Sequence, residues 1–487
     1  MAYNDIPYEK IPTIMKRYSW DSKIKFCMDI SRGYTSPTKP DTAAIRKLGV
    51  LPHTLEAIFL FTIMHIEHGN AEITERNNSM LKRIIESIDN FSTEFIKTGH
   101  NTFTSNLVQA YLPTQFKIQD NTTILLARYH YLFNYINKKI DMKSEFYNYY
   151  RIDYSILAAI MEIFTIMFTK DKNYNKLGFN EKLYSKIMKY YQSKGYLNNF
   201  IKTRDEYIEL QEFTTQNDIK NYLFCVKAIY QYPFIIENDG IYLPLPHVLK
   251  NAFTDSLLFR LVDGNQKLKS LFGKEVFENY VYELFHDCSG YETVEKSPHF
   301  NKGEEISDVL ITNVGRTIFV ECKTTFPRAG IRIYSEEHEE REYKAYIENI
   351  LQVYKSMKKY SRVRSCSMDS CYGIVVNLID NYIKRDEIYK RLRVADEKLT
   401  DEEISFIENH IKCIDVYWVE RLCCYSNKLV DEYLYEWALD CEHKFDFVYE
   451  LQCESTPKGL LKQLNNKTQT LIEEFIDELE INGVFKD

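Results

Sequence analysis

The chain has 487 residues, a formal net charge of −8, 45% hydrophobic and 27% charged residues. That is the make-up of an ordinary soluble globular protein too long for one core, so two to three domains are expected. The acid excess excludes a global basic field; a polyanionic partner has to be met by a local basic patch, a protein partner or an assembly.

Met1–Lys10 is polar and lacks the apolar run of a secretion signal. The 11 cysteines are scattered, odd in number and include the adjacent pair Cys423-Cys424. Reduced thiols in a cytoplasmic protein are therefore expected rather than a disulfide framework. The nearest approaches to zinc spacing (Cys366/Cys371, His410/Cys413, His286/Cys288) contain no pair of knuckles, which argues against structural zinc.

Residues 1–250 read as a mainly helical domain for recognition, regulation or partner binding. Helical stretches are expected at His53–His68, Asn121–Ile140, Ile152–Thr169 and Asn180–Lys194. The most apolar runs, Tyr154–Phe168 and Leu55–Ile66, fall short of the ~20 residues that a membrane span needs, so both read as buried helices. His65 and His68 stand three apart, where a metal site is conceivable but a polar helix rim is the simpler reading. Pro233–Pro246 reads as a hairpin turning at Asn238-Asp239-Gly240. Behind the helix expected at Asp218–Tyr230, it is either the wing of a winged-helix-like unit or a packing element between domains.

Residues 251–487 differ. Lys274–His286 places Phe277, Val281, Leu284 and Phe285 on one helical stripe, with Glu278 beside it. Asp308–Thr312 and Thr317–Val320 are β-rich runs around a polar turn. If the hairpin centres on Val314–Gly315, Asp308 and Glu321 face each other, where opposed Cβ atoms lie about 4.5–5.5 Å apart. Lys323 shares the face of Glu321 because side chains alternate along a strand. Two carboxylates and an ammonium then meet on an otherwise apolar sheet. Two oxygen ligands suit Mg²⁺, and the chemistry implied is metal-assisted hydrolysis of a phosphodiester.

An acid two residues before a lysine is a weak pattern in itself and recurs at Asp21/Lys23, Asp141/Lys143, Asp218/Lys220 and Glu442/Lys444. An exposed pair on a surface hairpin would be worth about 0–1 kcal/mol and need no function. Context separates Glu321: both strands are apolar on both faces, the mark of a central position in a sheet.

Next come the acidic run Glu336, Glu337, Glu339, Glu340 and Glu342, read as a solvated helix N-terminus favourable with the dipole or else as an autoinhibitory or partner-binding element, and a helix over Tyr343–Tyr360. That helix turns Ile347, Ile350, Leu351 and Tyr354 inward and sets Gln352 and Lys355 on one face. Lys355, Lys358, Lys359, Arg362 and Arg364 form a candidate nucleic-acid-binding patch at its end, with Arg328 and Arg332 after the Glu321 strand. Buried strands are expected at Tyr372–Ile379 and Ile411–Val419, and helices again over 426–487.

In this order, Glu278, Asp308, Glu321-x-Lys323 and Gln352 give residues 265–425 a pattern that resembles the PD-(D/E)xK, or restriction-endonuclease-like, nuclease superfamily. The resemblance implies an α/β nuclease core (αβββαβ, with a mixed central sheet) behind the helical N-terminal domain, with 426–487 as a helical extension. It implies Mg²⁺ or Mn²⁺ held by Asp308, Glu321 and the carbonyl of Cys322, and Lys323 positioning or activating the attacking water. Glu278 matches the acid of the first core helix, and Gln352 the glutamine found after the catalytic strands of many members. Ser307 stands where the motif has proline, a departure common in divergent members. The expected activity is endonucleolytic hydrolysis of nucleic acid, DNA in preference to RNA. Joined to an unassigned helical region, it fits defence against phage or foreign DNA by analogy of architecture. The alternative is a non-catalytic nuclease-fold scaffold that recruits a protein partner through residues 1–250, alone or as a homo-oligomer.

Overall fold

The computed structural model describes residues 6–7, 9–35, 50–63, 65, 67–74, 78–97, 121–169, 180–211, 228–238, 240–301, 303–325, 336–379, 385–395, 399–439, 454 and 456–485. Arg328, Arg332 and most of the helix expected at Asp218–Tyr230 lie outside them.

The N-terminal region is helical because two of its segments are apolar all round, which suits a helix only when it is enclosed. Every residue of the Pro52–Ile63 helix is buried, as are 11 of the 15 in Tyr154–Phe168. Asparagine side chains fix where neighbouring helices begin. Asn121 accepts from the amide of Thr123, and Asn180 from those of Lys182 and Leu183, satisfying donors that helix starts leave orphaned. Among the described residues no helix is long and apolar enough to cross a membrane, and all eight described cysteines are free thiols. The helix expected to hold His65 and His68 stops at Ile63, so the two histidines share no helical face.

A small sheet joins β1 (Ile201–Thr203), β2 (Phe234–Glu237) and β3 (Gly240–Tyr242). β2 and β3 are the hairpin expected from the sequence, with Asn238 at φ 47° in its turn. Met15, Ile24, Phe59, Ile84, Tyr230 and Ile235 make one apolar core around it.

The larger sheet has five strands in the order β10-β9-β8-β7-β4. These are β4 (Thr293–Lys296), β7 (Val309–Asn313), β8 (Arg316–Lys323), β9 (Cys371–Asn377) and β10 (Ile411–Asp415). A short ribbon, β5 (His299–Asn301) with β6 (Glu304–Glu305), interrupts the path from β4 to β7. The sheet is mixed: β4–β7 and β7–β8 are antiparallel, β8–β9 and β9–β10 parallel. In chain order the elements are the Glu278–His286 helix, β4, β7, β8, the Glu336–Arg364 helix and β9.

β7 and β8 meet through Val314 and Gly315, with φ of 43° and 76°, the two positive values that a type I′ turn demands. β10 is shorter than the apolar run that encodes it. The Asp415 carboxylate accepts the amide of Trp418 at 3.1 Å, so the chain turns there into the Val416–Tyr425 helix.

Both faces of the sheet are covered. Ile311, Ile318, Val320, Ile374 and Val376 pack with the Thr122–Asn134, Tyr154–Phe168, Glu278–His286, Val416–Tyr425 and Gly459–Ile481 helices in a core that runs across position 250. On the opposite face, Leu310, Phe319 and Val375 meet Tyr343, Ile350, Val353 and Met357 of the Glu336–Arg364 helix. Gly373 permits that approach, since a Cβ there would lie 2.5 Å from Val353 Cγ1. Within the first core, Arg128 grips Glu420 with two bonds (Nε to Oε1 at 2.7 Å, Nη2 to Oε2 at 2.5 Å), and Tyr280 Oη donates to Glu420 Oε1 at 2.6 Å.

Two stability outcomes are expected in thermal and urea unfolding. Val314 is 78% exposed and strained at positive φ, so Val314→Asn should stabilise the protein by about 0.5–1 kcal/mol. Arg128→Met should cost about 3–5 kcal/mol, because it leaves Glu420 buried without its counter-charge.

Candidate active site

The register Val309↔Val320 to Asn313↔Arg316 continues outward to bring Asp308, just before β7, opposite Glu321. Both stand where the apolar part of the sheet ends. Glu321 is only 5% exposed. Lys323, two residues on, donates Nζ to Glu321 Oε1 at 2.7 Å, and Gln352 Nε2 donates to the same oxygen at 2.7 Å. Gln352 reaches it because the helix resting on Gly373 lies over that face of β8. Asp308 Oδ2 accepts the amide N–H of Cys322 at 2.6 Å, so Cys322 meets Asp308 through its nitrogen, with its thiol buried.

Glu278 arrives from the other face. Its helix opens with a π-helical turn, Phe272–Phe277, in which the Glu278 amide bonds to Gly273 O. That turn sits against the end of β8: a Cβ on Gly273 would lie 3.1 Å from Thr324 Oγ1. Turns of this kind are often found at functional positions.

The electrostatics follow from this crowding. Burial, then the neighbouring Glu321 charge, push the Asp308 carboxyl up to about 7, although the Cys322 amide and Lys323 pull the other way. Burial, then Asp308, then Glu305 push Glu278 up to about 8 against Lys274 and Lys296. Three acids from three elements thus share one region, and perturbed carboxyls gathered in this way are a mark of catalytic and binding sites.

Glu278, Asp308, Glu321, Lys323 and Gln352 are therefore brought together. The five candidate cations all lie on the Glu336–Arg364 helix, which runs past the end expected for it. Lys355, Lys359 and Arg362 continue the stripe of Gln352 at helical spacing, and Lys355 and Arg362 are exposed. Lys359 is engaged by Glu304 and lies 4.8 Å from the Phe300 ring. Lys358 is turned aside to Glu403 at 2.7 Å, and Arg364 sits over Tyr360 at 5.9 Å. Of the acidic run, Glu340 pairs with Arg391, whereas Glu342 is 1% exposed and so is not a solvated residue.

Sequence reasoning missed Glu305, Lys274 and Lys296, the further charges around Glu278. Glu305 stands three residues before Asp308, but its place depends on the β5–β6 ribbon folding back, fixed by bonds such as Ile306 N to Pro298 O at 2.7 Å. Only the Glu304-Glu305 pair itself signalled it. Asn377, 4% exposed and paired in register with Lys323, was legible only as a polar residue within the apolar run Tyr372–Ile379.

Among the described residues no group of three His, Cys, Asp or Glu side chains is arranged as a metal-binding cluster. No family model, curated protein or solved structure matches the chain.

Raised carboxyls bind protons more tightly in the folded than in the unfolded chain, so their contribution favours folding at low pH. It is lost as pH rises from about 4, the unfolded value, through about 8. In EDTA, Glu278→Gln should therefore lose less thermal stability between pH 5 and 9 than the wild type. Equal losses would show that Glu278 is not crowded as described.

Proposed function

We propose that this chain is a nuclease that hydrolyses phosphodiester bonds in nucleic acid, DNA in preference to RNA, with Mg²⁺ or Mn²⁺. The observation that carries the reading is the end of β8, where Asp308 faces Glu321 and Lys323 bonds to Glu321 at 2.7 Å. The strand and helix order around it is the one that the PD-(D/E)xK resemblance implied, which supports the same reading.

The donor set fits a hard dication. Asp308 and Glu321 offer the one or two carboxylates that Mg²⁺ takes together with waters and phosphate oxygens. Their mutual repulsion, visible in the raised Asp308 carboxyl, is what a bound dication relieves. Asp308, Glu321 and the Cys322 carbonyl would hold it, and it would supply Lewis-acid polarisation of the phosphate and a water acidic enough to attack at neutral pH.

The chain's own groups do the rest. Lys323 brings a positive charge to where negative charge develops on the phosphate, beside the buried Glu321. Gln352 fixes the orientation of Glu321 through its amide. Glu278, whose carboxyl is pushed up by burial and then by Asp308, would serve as a proton donor toward a phosphate or leaving oxygen. Lys355 and Arg362 on the Gln352 stripe offer the phosphate backbone a track leading from the site.

Asp308→Ala and Lys323→Ala should each lose at least about 10³-fold in cleavage while folding normally, each tenfold being 1.36 kcal/mol. The assay uses supercoiled plasmid, linear duplex, single-stranded DNA and RNA with Mg²⁺, Mn²⁺ or EDTA. A folded Lys323→Ala that cuts like wild type sinks the mechanism, and a wild type that cuts none of these substrates favours the scaffold alternative. Protons compete with the cation for Asp308, so Mg²⁺ should raise the unfolding temperature more at pH 8.5 than at pH 6.

A further inference from the structure

The helical N-terminal region contains a second concentration of charge, far simpler in sign. Lys23 lies in the Trp20–Ser31 helix and is fully buried. Its ammonium donates to Met15 O at 3.1 Å and to His68 Nδ1 at 2.7 Å, and neither partner carries a negative charge. Arg204 is 4% exposed and lies 5.4 Å from the Trp20 ring, while the His68 ring lies 5.3 Å from the same indole. Arg204 donates to Glu237 and to the carbonyl of His65.

The hydrogen bonding of the cluster is unbalanced toward donors. An ammonium only donates, so His68 Nδ1 accepts and its proton sits on Nε2. That Nε2 and Arg204 Nε are both buried without a hydrogen-bond partner, as is His65 Nε2. Two of these three are donors, beside a buried cation that no acid among the described residues pairs with. Such orphaned groups are costly and rare in native proteins. Among the described residues, Lys23 has no negatively charged acceptor.

The acids nearby, among the described residues, have other partners. Glu237 pairs with Arg204, Glu67 pairs with the exposed Lys16, Glu72 accepts from Ser19 at 3.1 Å and Asp21 from Tyr242 at 3.2 Å. Backbone packing holds the arrangement in place: a Cβ on Gly69, next to His68, would lie 2.1 Å from Arg17 O. The concentrated positive field also holds Lys23 down to about 8 and His68 down to about 3, in both cases with burial as the larger cause.

We propose that Lys23, His68 and Arg204 form a binding site for a small phosphate-bearing anion, distinct from the Asp308–Glu321 site. An oxyanion accepts from several donors at once and supplies the charge that Lys23 lacks; guanidinium and ammonium together suit phosphate. The assignment does not depend on the nuclease reading.

The test is thermal unfolding of the full chain titrated with inorganic phosphate, pyrophosphate or ATP at constant ionic strength, with chloride as control. At least one of these should raise the unfolding temperature of the wild type by about 2 °C or more at saturation. The shift should persist in Lys323→Ala and be lost in Lys23→Met and Arg204→Gln. Without ligand, Lys23→Met should be at least as stable as the wild type, since it removes an uncompensated buried charge. If it fails to fold, His68→Phe replaces it as the variant in which the shift should be lost. No shift with any phosphate probe overturns the site, and so does a shift that survives in all of the folded cluster variants.

Discussion

The two-residue turn at Val314-Gly315 is the constraint on which the rest of the site depends. Side chains alternate with a period of two, so slipping β7 against β8 by one residue would turn every residue of one strand to the wrong face. It would turn Asp308 or Glu321 to the face packed by the Glu278–His286 helix, away from Gln352, and bring Val309 or Val320 round in its place. The turn admits one register, and β8 passes that register on to β9, where Lys323 stands beside Asn377. The position of Gln352 follows in turn, because its helix is seated on β9 at Gly373. A local backbone requirement thereby fixes the relations among residues up to 44 positions apart along the chain, from Asp308 to Gln352.

Stability and the candidate chemistry pull against each other at this end of the sheet. Folding gathers acids that would be better dispersed, and the raised carboxyls of Asp308 and Glu278 measure that opposition. Well-packed apolar layers on both faces of β7, β8 and β9 compensate for it. The π-helical turn before Glu278 belongs to the same pattern, since irregular backbone is retained where a side chain has to be re-aimed.

Much of this site was legible in the sequence because it depends on local geometry. Hairpin symmetry about Val314–Gly315 and strand alternation were enough to put Asp308, Glu321 and Lys323 together, whereas Gln352 was tied to them only by the family resemblance, helical spacing having set it on one face with Lys355. Capping and long-range folding were harder to read. Asp415 reads as one more residue of an apolar strand until its carboxylate is seen capping the next helix. The basic residues at 355–364 read as one patch, yet helical rotation and the acids Glu403 and Glu304 divide them. Glu305 reaches Glu278 only through a ribbon whose pairing is irregular. Lys23 stands out in the sequence only as a chance repeat of an acid-x-lysine pattern; its surroundings come from residues 45 and 181 positions away, His68 and Arg204.

The Arg128–Glu420 pair also bears on how the chain can be divided. Glu420 belongs to the helix that follows β10, and its counter-charge comes from a helix almost 300 residues earlier. The sheet is therefore completed electrostatically by the N-terminal region, not merely accompanied by it. A fragment beginning near residue 250 would carry a buried glutamate with only the Tyr280 hydroxyl to meet it, together with an apolar face stripped of the Thr122–Asn134 and Tyr154–Phe168 helices. Such a fragment would be a poor stand-in for the half that carries the Asp308–Glu321 site, and gene fusions or natural breaks would be tolerated better in surface loops than at that compositional boundary.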